Sequence, residues 1–237
     1  MMARRGLSIL SLMLIWGCSI GVNSMQGVVE SKPGEPSTSI PGPMPGFGPF
    51  ATVEDAIFAA CPVVMRQPQA FVPVPPTDQN FETYWKTSRE YCAWLYAPVD
   101  KDVEMSLFAM STVQDDPKKR KCKLPAYVDD PRYPSASISY LVILHSHPFD
   151  DTLSKNDLLF LVEMAQLHGF TPMVKEQKVS ISIVAFFGKG SCEGFYQYLP
   201  AHGSELLKVT AAGPAQWKKT LIGHVRWTSE EDYTIEP

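Results

Sequence analysis

The sequence is short of basic residues, of histidine and of long apolar runs. Lysine and arginine number 21 against 25 aspartates and glutamates, and the net charge of −4 argues against nucleic acid as a partner. The longest apolar stretch, residues 7–17, is shorter than the about 20 residues that a helix needs to cross a bilayer. The five cysteines include no CxxC pair, so the spacing of a zinc ribbon is absent.

The N-terminus has the layout of a secretory signal peptide. Two arginines precede the apolar stretch, and Gly17 stands directly before Cys18. A small residue before a cysteine resembles the lipobox of bacterial lipoproteins, which implies removal of residues 1–17 and lipidation of Cys18. Ser19 after that cysteine resembles the signal for the outer membrane of Gram-negative bacteria. A plain secretory signal followed by an unmodified cysteine is the alternative.

Three further segments complete the predicted domain organisation. Residues 18–50 are expected to be a solvated tether, because residues 33–49 hold six prolines and four glycines. Residues 51–200 are expected to form one main domain, of a size that can bury a core. Residues 201–237 are expected to be a C-terminal extension.

The hydrophobic pattern of the main domain predicts a mixed α/β (α+β) fold, with helices flanking a sheet. A first helix is predicted from the N-cap Thr52 to Cys61, where Pro62 should end it. A second is predicted over residues 154–168, with Gly169 as its C-cap. Periodicity and β-prone composition predict strands at residues 90–97, 104–112, 137–145, 179–187, 192–199 and 221–227.

Lipidation of Cys18 would leave four of the five cysteines free to form disulfides. In an exported protein an even count permits two disulfides, with three possible connectivities. Buried free thiols are the alternative. The four candidates are Cys61, Cys92, Cys122 and Cys192.

Two histidines stand at the end of an apolar, β-prone run. His145 and His147 are two residues apart, so an extended backbone points both side chains to the same face. Pro148 stops the strand, and Asp157 arrives at the start of the next helical pattern. Two neutral imidazoles and one carboxylate are the protein ligands of an open catalytic zinc site, which keeps water in its fourth position. Ser154 and Asp157 also form a capping box, which would need no metal.

This combination resembles the motif of the JAMM (MPN+) metalloproteases, in which an upstream glutamate is followed by His-x-His-Pro and then by Ser-x-x-Asp. The resemblance covers residues 51–200 and implies a mixed sheet flanked by helices. It makes His145, His147 and Asp157 the ligands of a Zn²⁺ cofactor. It makes Ser154 a residue that orients the reacting centre.

The upstream glutamate of this motif has two candidates in the sequence. Glu90 precedes an apolar strand pattern and is preferred on strand order. In the role that the resemblance implies, it takes a proton from the attacking water and later returns it to the leaving amine. Glu104 is the competing candidate.

The spacer between the two halves of the motif departs from the family. It has six residues between His147 and Ser154, where the family more often has seven. A shorter loop tilts Asp157 away from the metal unless the turn absorbs the difference. Asp150 or Asp151 is therefore an alternative oxygen ligand.

Other folds with two histidines at a strand end fit the sequence less well. The metallo-β-lactamase pattern HxHxDH needs an acid one place earlier and a further histidine. Amidohydrolase barrels need a longer chain and more ligands. The same three ligands suit Fe(II), but no other signal of an iron oxygenase is present. The remaining histidines, His168, His202 and His224, are expected to be incidental.

The sequence therefore predicts an exported, membrane-tethered zinc hydrolase that cleaves peptide or isopeptide bonds. Its predicted partners are a peptide or protein substrate and, through the lipid anchor, a membrane. Two alternatives stay open. One is a non-catalytic binding module of the same fold on a lipoprotein anchor. The other is a lipidated effector or toxin used in competition between bacteria.

Overall fold

A mixed sheet of nine strands crosses the molecule. The computed structural model describes residues 27–29, 37–111, 122–213, 216–229 and 232–237. The predicted signal peptide and Cys18 lie outside these residues. The strands of the sheet are β2 (Tyr91–Pro98), β3 (Glu104–Met105), β4 (Ala109–Met110), β6 (Ile138–Ser146), β9 (Ser182–Phe187), β10 (Gly194–Leu199), β11 (Glu205–Gly213), β12 (Gln216–Trp227) and β13 (Tyr233–Glu236).

The strands follow the order β13-β12-β11-β10-β9-β6-β2-β3, and β4 also pairs with β2. Two small ladders lie outside the sheet, a parallel one between β1 (Ser39–Pro41) and β5 (Tyr127–Asp129) and an antiparallel one between β7 (Met173–Val174) and β8 (Gln177–Lys178). The helices are α1 (Val53–Met65), α2 (Phe81–Thr87) and α3 (Lys155–His168), with a 3₁₀ turn at Ser135–Ser137. The predicted mixed α+β fold in a single domain is confirmed.

The centre of the sheet is the parallel pair β6–β9, which α3 connects. Both strands are buried along almost their whole length, and such continuous apolar runs are typical of strands with both faces covered. α1 packs on one face, against a core that includes Leu95 and Leu144. α3 packs on the other face, against a core that includes Trp94 and Ile143. The carboxyl end of β6 and the start of α3 therefore meet at one edge of the molecule.

α1 begins where the sequence predicts and ends later. The Thr52 side chain accepts a hydrogen bond from the Asp55 N–H at 3.1 Å, as an N-cap does. The helix continues through Pro62 to Met65, so the predicted end at Cys61 is wrong. Pro62 removes one hydrogen bond in the helix, but Val64 and Met65 are completely buried. Burial of these last residues outweighs the local cost of the proline.

α3 is predicted correctly at both ends. Ser154 is its N-cap, and Asp157 completes a reciprocal capping box. Gly169 is its C-cap, with a φ of 95° that favours glycine.

The predicted strands are correct in place but not always in extent. The run predicted over residues 104–112 is two short strands, β3 and β4, because Leu107 and Phe108 between them donate their N–H groups to the N-terminal segment instead of to β2. β9 begins at Ser182 rather than at residue 179, and β12 begins at Gln216 rather than at residue 221. The sequence patterns also missed α2, β11 and β13.

Part of the segment expected to be a solvated tether is packed against the domain. Ile40, Met44 and Phe47 are buried among its prolines. The backbone of Gly42 runs so close to Tyr96 that a Cβ at this glycine would lie 2.6 Å from the tyrosine hydroxyl. The expectation of a solvated chain is therefore wrong for this part, because apolar residues spaced between prolines cover the end of the core.

The segment predicted to be a C-terminal extension continues the main sheet. β11 pairs with β10, and β12 and β13 follow in antiparallel register. Leu206 and Val209 of β11 are buried in the two cores. Residues after 200 thus take part in the same sheet as the strand that carries the histidines.

The four candidate cysteines form two disulfides, Cys61–Cys192 and Cys92–Cys122. The first links α1 to the loop before β10, and the second links β2 to the segment before β5. The alternative of buried free thiols is wrong for all four. Within the described residues, no helix has the length and apolar character that crossing a membrane requires.

Candidate metal centre

The end of β6 brings the side chains of His145 and His147 together. His145 lies opposite Cys92 of β2 and beside Ala185 of β9, and these neighbours belong to the core on the α3 side. The His147 N–H donates to the Phe186 carbonyl at 2.7 Å, which holds the backbone just beyond the strand. Both imidazoles are largely buried and face the start of α3.

Asp157 completes a cluster of ligand atoms with these imidazoles. The two Nε2 atoms are 2.9 Å apart, and the Asp157 oxygens lie 3.6 Å from Nε2 of His145 and 3.7 Å from Nε2 of His147. Ligands about 2.0–2.1 Å from a tetrahedral zinc ion are about 3.3 Å from one another. The observed separations lie on both sides of that value. These three residues therefore fit a zinc ion that each of them would contact.

Neighbouring groups fix the orientation of these side chains. Nδ1 of His147 donates to the Asp151 carbonyl at 3.0 Å, which leaves the Nε2 lone pair toward the cluster in the neutral ring. The Ser154 N–H donates to Asp157 Oδ2 at 2.6 Å, and Ser154 Oγ accepts from the Asp157 N–H at 3.3 Å. Nδ1 of His145 is buried and has no hydrogen-bond partner among the described residues.

The electrostatics of the cluster favour a positive charge between the rings. Burial raises the pKa of the Asp157 carboxyl, but the two imidazoles outweigh it and hold the pKa well below its usual range. Burial lowers the pKa of His145, and Asp157 opposes this only in part. Burial also lowers the pKa of His147, but Asp157 and the charge of Glu90 reverse the effect and raise it to about 9. A divalent cation would compete with that proton for the same position.

The structure separates the two glutamates considered for the role of base. Glu90 lies just before β2, where its N–H donates to Ser111 Oγ at 2.9 Å and its carbonyl accepts from the Ser111 N–H at 2.8 Å. Glu90 lines the same cavity as His145 and Asp157, and its charge acts on His147. Glu104 lies opposite Tyr96 of β2, whereas His145 lies opposite Cys92, four residues earlier in that strand. Glu104 forms an ion pair with Arg132.

The six-residue spacer brings Asp157 to the histidines, and neither alternative carboxylate takes its place. Asp150 is turned to β10 and β11, where it accepts from Tyr196 at 2.9 Å and from Lys208 at 2.8 Å. The Asp151 carboxylate accepts from the Thr152 N–H. Among the described residues, one group of three histidine, cysteine, aspartate or glutamate side chains has its ligand atoms within 4.8 Å of one another. This group is His145, His147 and Asp157.

A cavity of about 340 Å³ opens beside the cluster. The Cys92–Cys122 disulfide forms part of its wall, a role that no sequence pattern predicts. The residues that line it are Glu90, Cys92, Cys122, Lys123, Leu124, Ile143, His145, Ser154, Asn156, Asp157, Phe160 and Ile183.

The other histidines lie away from this cavity. His168 stacks on Tyr140 with the ring centres 3.8 Å apart, and its Nε2 bonds the Ala126 carbonyl. His224 bonds the Gly203 carbonyl. His202 lines a separate cleft between α1 and the sheet.

Lys208 and Tyr196 contact the loop of residues 148–153 that follows His147, called the histidine loop below. Neither residue was predicted. Their bonds to Asp150 connect the loop that follows His147 to β10 and β11. Both residues are far from the motif along the chain, so no local spacing could have indicated them.

The chain matches no protein-family model, no curated protein and no solved structure. The case for a metal centre therefore depends on this chain's own residues.

Proposed function

We propose that this protein is a zinc-dependent hydrolase of peptide or isopeptide bonds. One observation carries the proposal: two buried imidazole nitrogens and a carboxylate converge at the end of a cavity that also holds Glu90. This is the ligand set of a catalytic zinc site, which uses three protein ligands. The resemblance of the motif to the JAMM metalloproteases supports the same reaction.

His145, His147 and Asp157 would hold the zinc ion, and a hydrogen bond orients two of them. The Asp151 carbonyl holds the His147 ring, and the Ser154 backbone holds the Asp157 carboxylate. When bound, zinc supplies Lewis acidity, which polarises the scissile carbonyl and makes water a better acid. These hydrogen bonds orient the ligand atoms toward the position that the ion would occupy.

Glu90 would act as general base and then as general acid. Its carboxylate takes a proton from the attacking water while the water oxygen bonds to the scissile carbonyl carbon. The same proton then passes to the leaving nitrogen as the carbon–nitrogen bond breaks, which releases an acid and an amine. The position of Glu90 on the cavity wall supports this role.

The proposal is tested with two glutamate variants of the zinc-loaded, full-length protein. Glu90→Gln should retain zinc but lower the hydrolysis of internally quenched peptides and of an isopeptide-linked dipeptide by about 10²–10⁴-fold. Glu104→Gln is the matched control and should retain turnover, because Glu104 contacts Arg132 rather than the cavity. Unchanged turnover in Glu90→Gln contradicts the role of this residue. A zinc-loaded protein that cleaves no substrate would instead favour a non-catalytic binding module.

We also propose that the protein is exported and held at the outer membrane by a lipid on Cys18. The signal-like N-terminus supports export, and two disulfides are typical of an oxidising compartment. Labelling cells with a fatty-acid analogue should mark the wild-type protein and leave Cys18→Ser unmarked. Labelling of Cys18→Ser would contradict lipidation at this residue.

A further inference from the structure

The cavity beside the metal centre has two chemically different halves. Its polar half is lined by Glu90, Lys123, His145, Ser154, Asn156 and Asp157, and apolar residues line the rest. The apolar half consists of the Cys92–Cys122 disulfide, Leu124, Ile143, Phe160 and Ile183. The proposed chemistry uses only the polar half, so the apolar half has no role in the reaction itself.

We propose that this apolar half is the specificity pocket of the hydrolase and selects a substrate with a large, uncharged apolar side chain next to the scissile bond. This inference rests on the proposed function, because it takes the metal centre as the place of cleavage. The wall lines the same cavity as His145 and Asp157, so a side chain adjacent to a carbonyl held there would contact it. Apolar contact with it gains the free energy of removing both surfaces from water.

The size of the cavity argues for a large side chain. An apolar cavity of about 150 Å³ already accepts a benzene ring. The cavity here measures about 340 Å³, so it has room for a scissile amide together with a side chain of the size of leucine or phenylalanine. An alanine methyl group would leave most of the apolar wall without contact, and unfilled apolar space forfeits its dispersion energy.

The charges around the pocket argue against ionised side chains. An acidic side chain would meet the carboxylates of Glu90 and Asp157. A basic side chain would meet Lys123 and the bound cation, so the cavity offers each sign of charge a repulsive neighbour as well as an attractive one. Either charge would also lose water against the apolar wall without gaining a partner there.

The disulfide gives this pocket a fixed wall. Cys92 lies directly opposite His145 in the sheet, and its bond to Cys122 holds the adjoining Leu124, which is 6% exposed, at the cavity. The shape that a substrate meets is therefore set by a covalent link beside the metal centre.

Binding tests the pocket separately from catalysis. The zinc-loaded, full-length Glu90→Gln protein is titrated with peptides in which one position is alanine, leucine, phenylalanine, aspartate or lysine. We expect leucine and phenylalanine to bind at least about tenfold more tightly than alanine, the minimum usually seen for filling an apolar pocket. Equal affinities, or a preference for a charged residue, overturn the proposal.

Two variants assign that preference to this cavity. Asn156→Trp fills the mouth of the pocket from an exposed position on α3, and should abolish the preference while zinc content stays the same. Phe160→Ala removes part of the wall and should reduce the preference for leucine. Phe170→Ala is the matched control, because Phe170 is 42% exposed and does not line the cavity. A preference that survives Asn156→Trp and Phe160→Ala contradicts this location.

Turnover of the same peptides by the wild-type protein separates this inference from the proposed function. Zinc-dependent cleavage without a preference for apolar residues overturns the pocket and leaves the hydrolase. Apolar peptides that bind tightly but are never cleaved overturn the hydrolase and support the pocket as a binding site. Cleavage that follows the binding preference supports both.

Discussion

Two clusters of ionisable side chains, one at the end of β6 and one beside Tyr96 of the neighbouring strand β2, are built differently. The metal-centre cluster lies where β6 ends and consists of His145, His147 and Asp157. The Arg132 cluster lies further along β2 and consists of Tyr96, Glu104, Asp130 and Arg132. The carboxylates of the Arg132 cluster and the imidazoles of the metal-centre cluster are buried in the same domain, so the clusters differ mainly in chemistry.

The Arg132 cluster contains its own cation. Arg132 donates to both oxygens of Asp130, at 2.9 and 2.6 Å, and also to Glu104, while the Tyr96 hydroxyl donates to Asp130 at 2.9 Å. Burial raises the pKa of Asp130, but these hydrogen bonds outweigh it and lower the pKa below its ordinary value of 3.8. Each carboxylate is thus compensated by neighbouring protein groups.

The metal-centre cluster contains acceptors and no permanent cation. Two ring nitrogens and a carboxylate meet beside a cavity, and Asp157 is opposed only by imidazoles that must carry a proton to be charged. Arg132 supplies the positive charge beside the carboxylates of its cluster. Beside Asp157 the imidazoles supply it when protonated, at a position that a metal ion would take when bound.

The largest expected effect is loss of the metal from one cluster alone. His145→Ala should fold but bind zinc at least about 100-fold more weakly, because it removes a direct ligand and even supporting residues cost 10–100-fold. Zinc content after dialysis should fall from one ion per chain to none. Asp130→Ala is the control and should keep its zinc. Stoichiometric zinc in His145→Ala would contradict the ligand assignment and break the comparison.

The second largest effect is a loss of stability when the Arg132 cluster is broken. Asp130→Ala should lower the free energy of unfolding by about 3 kcal/mol, the low end for breaking a buried pair, because the Arg132 side chain is 44% exposed. Chemical denaturation measures this difference. Asp129→Ala, at the exposed neighbour in β5, should change stability by about 0.5 kcal/mol or less. Equal losses in the two variants would contradict the role of the cluster.

The stabilisation by Asp130 should depend on pH in a defined direction. The pKa of Asp130 in the folded protein lies below the ordinary 3.8, so folding stabilises the ionised form of this carboxyl group. The stability difference between wild type and Asp130→Ala should therefore be constant above about pH 5 and shrink as the pH falls through 3.8. Denaturation curves between pH 7 and pH 3 test this, and a gap that widens on acidification would contradict it.

The same contrast explains which cluster could be predicted from the sequence. The metal-centre residues fall within 13 consecutive positions, residues 145–157, and two local rules describe them: strand alternation and the capping box. The Arg132 cluster draws on residues from β2, β3 and the segment after β5, which only the tertiary fold brings together. Local periodicity carries no signal for such a set.

Local sequence patterns also failed to predict how the segments before and after the central domain pack. Proline-rich composition indicates a solvated segment, yet Ile40 is buried in the core on the α3 side and Phe47 in the core on the α1 side. β11 alternates apolar and polar residues only loosely, and its pairing with β10 decides its structure. Tertiary contacts override composition in both places.

A smaller effect is expected from the contacts that hold the histidine loop. Lys208 pairs with Asp150 and lies 5.0 Å from the ring centres of Phe187 and Tyr196. Lys208→Met should weaken zinc binding about tenfold, at the low end for supporting residues, because Lys208 acts through the loop rather than on a ligand. Competition with a chromophoric chelator measures the affinity.

Two controls decide whether this effect concerns the position of the loop. Lys208→Arg should restore zinc affinity, because it keeps the charge opposite Asp150. Lys219→Met should leave the affinity unchanged, since Lys219 pairs with Glu54 on α1, away from the loop. Wild-type affinity in Lys208→Met would show that the motif residues position themselves without help from β11.

The smallest effect is expected from an ion pair that is close to the metal centre but exposed. Lys155 begins α3 and pairs with Asp232 at 2.9 Å, with side chains that are 44% and 71% exposed. Water screens this exposed pair, so the attraction between the two charges is weak. A double-mutant cycle with Lys155→Met and Asp232→Asn should give a coupling of about 0.5 kcal/mol or less, fading in 1 M salt. A coupling as large as the loss in Asp130→Ala would mean that burial is not what distinguishes the ion pairs of this fold.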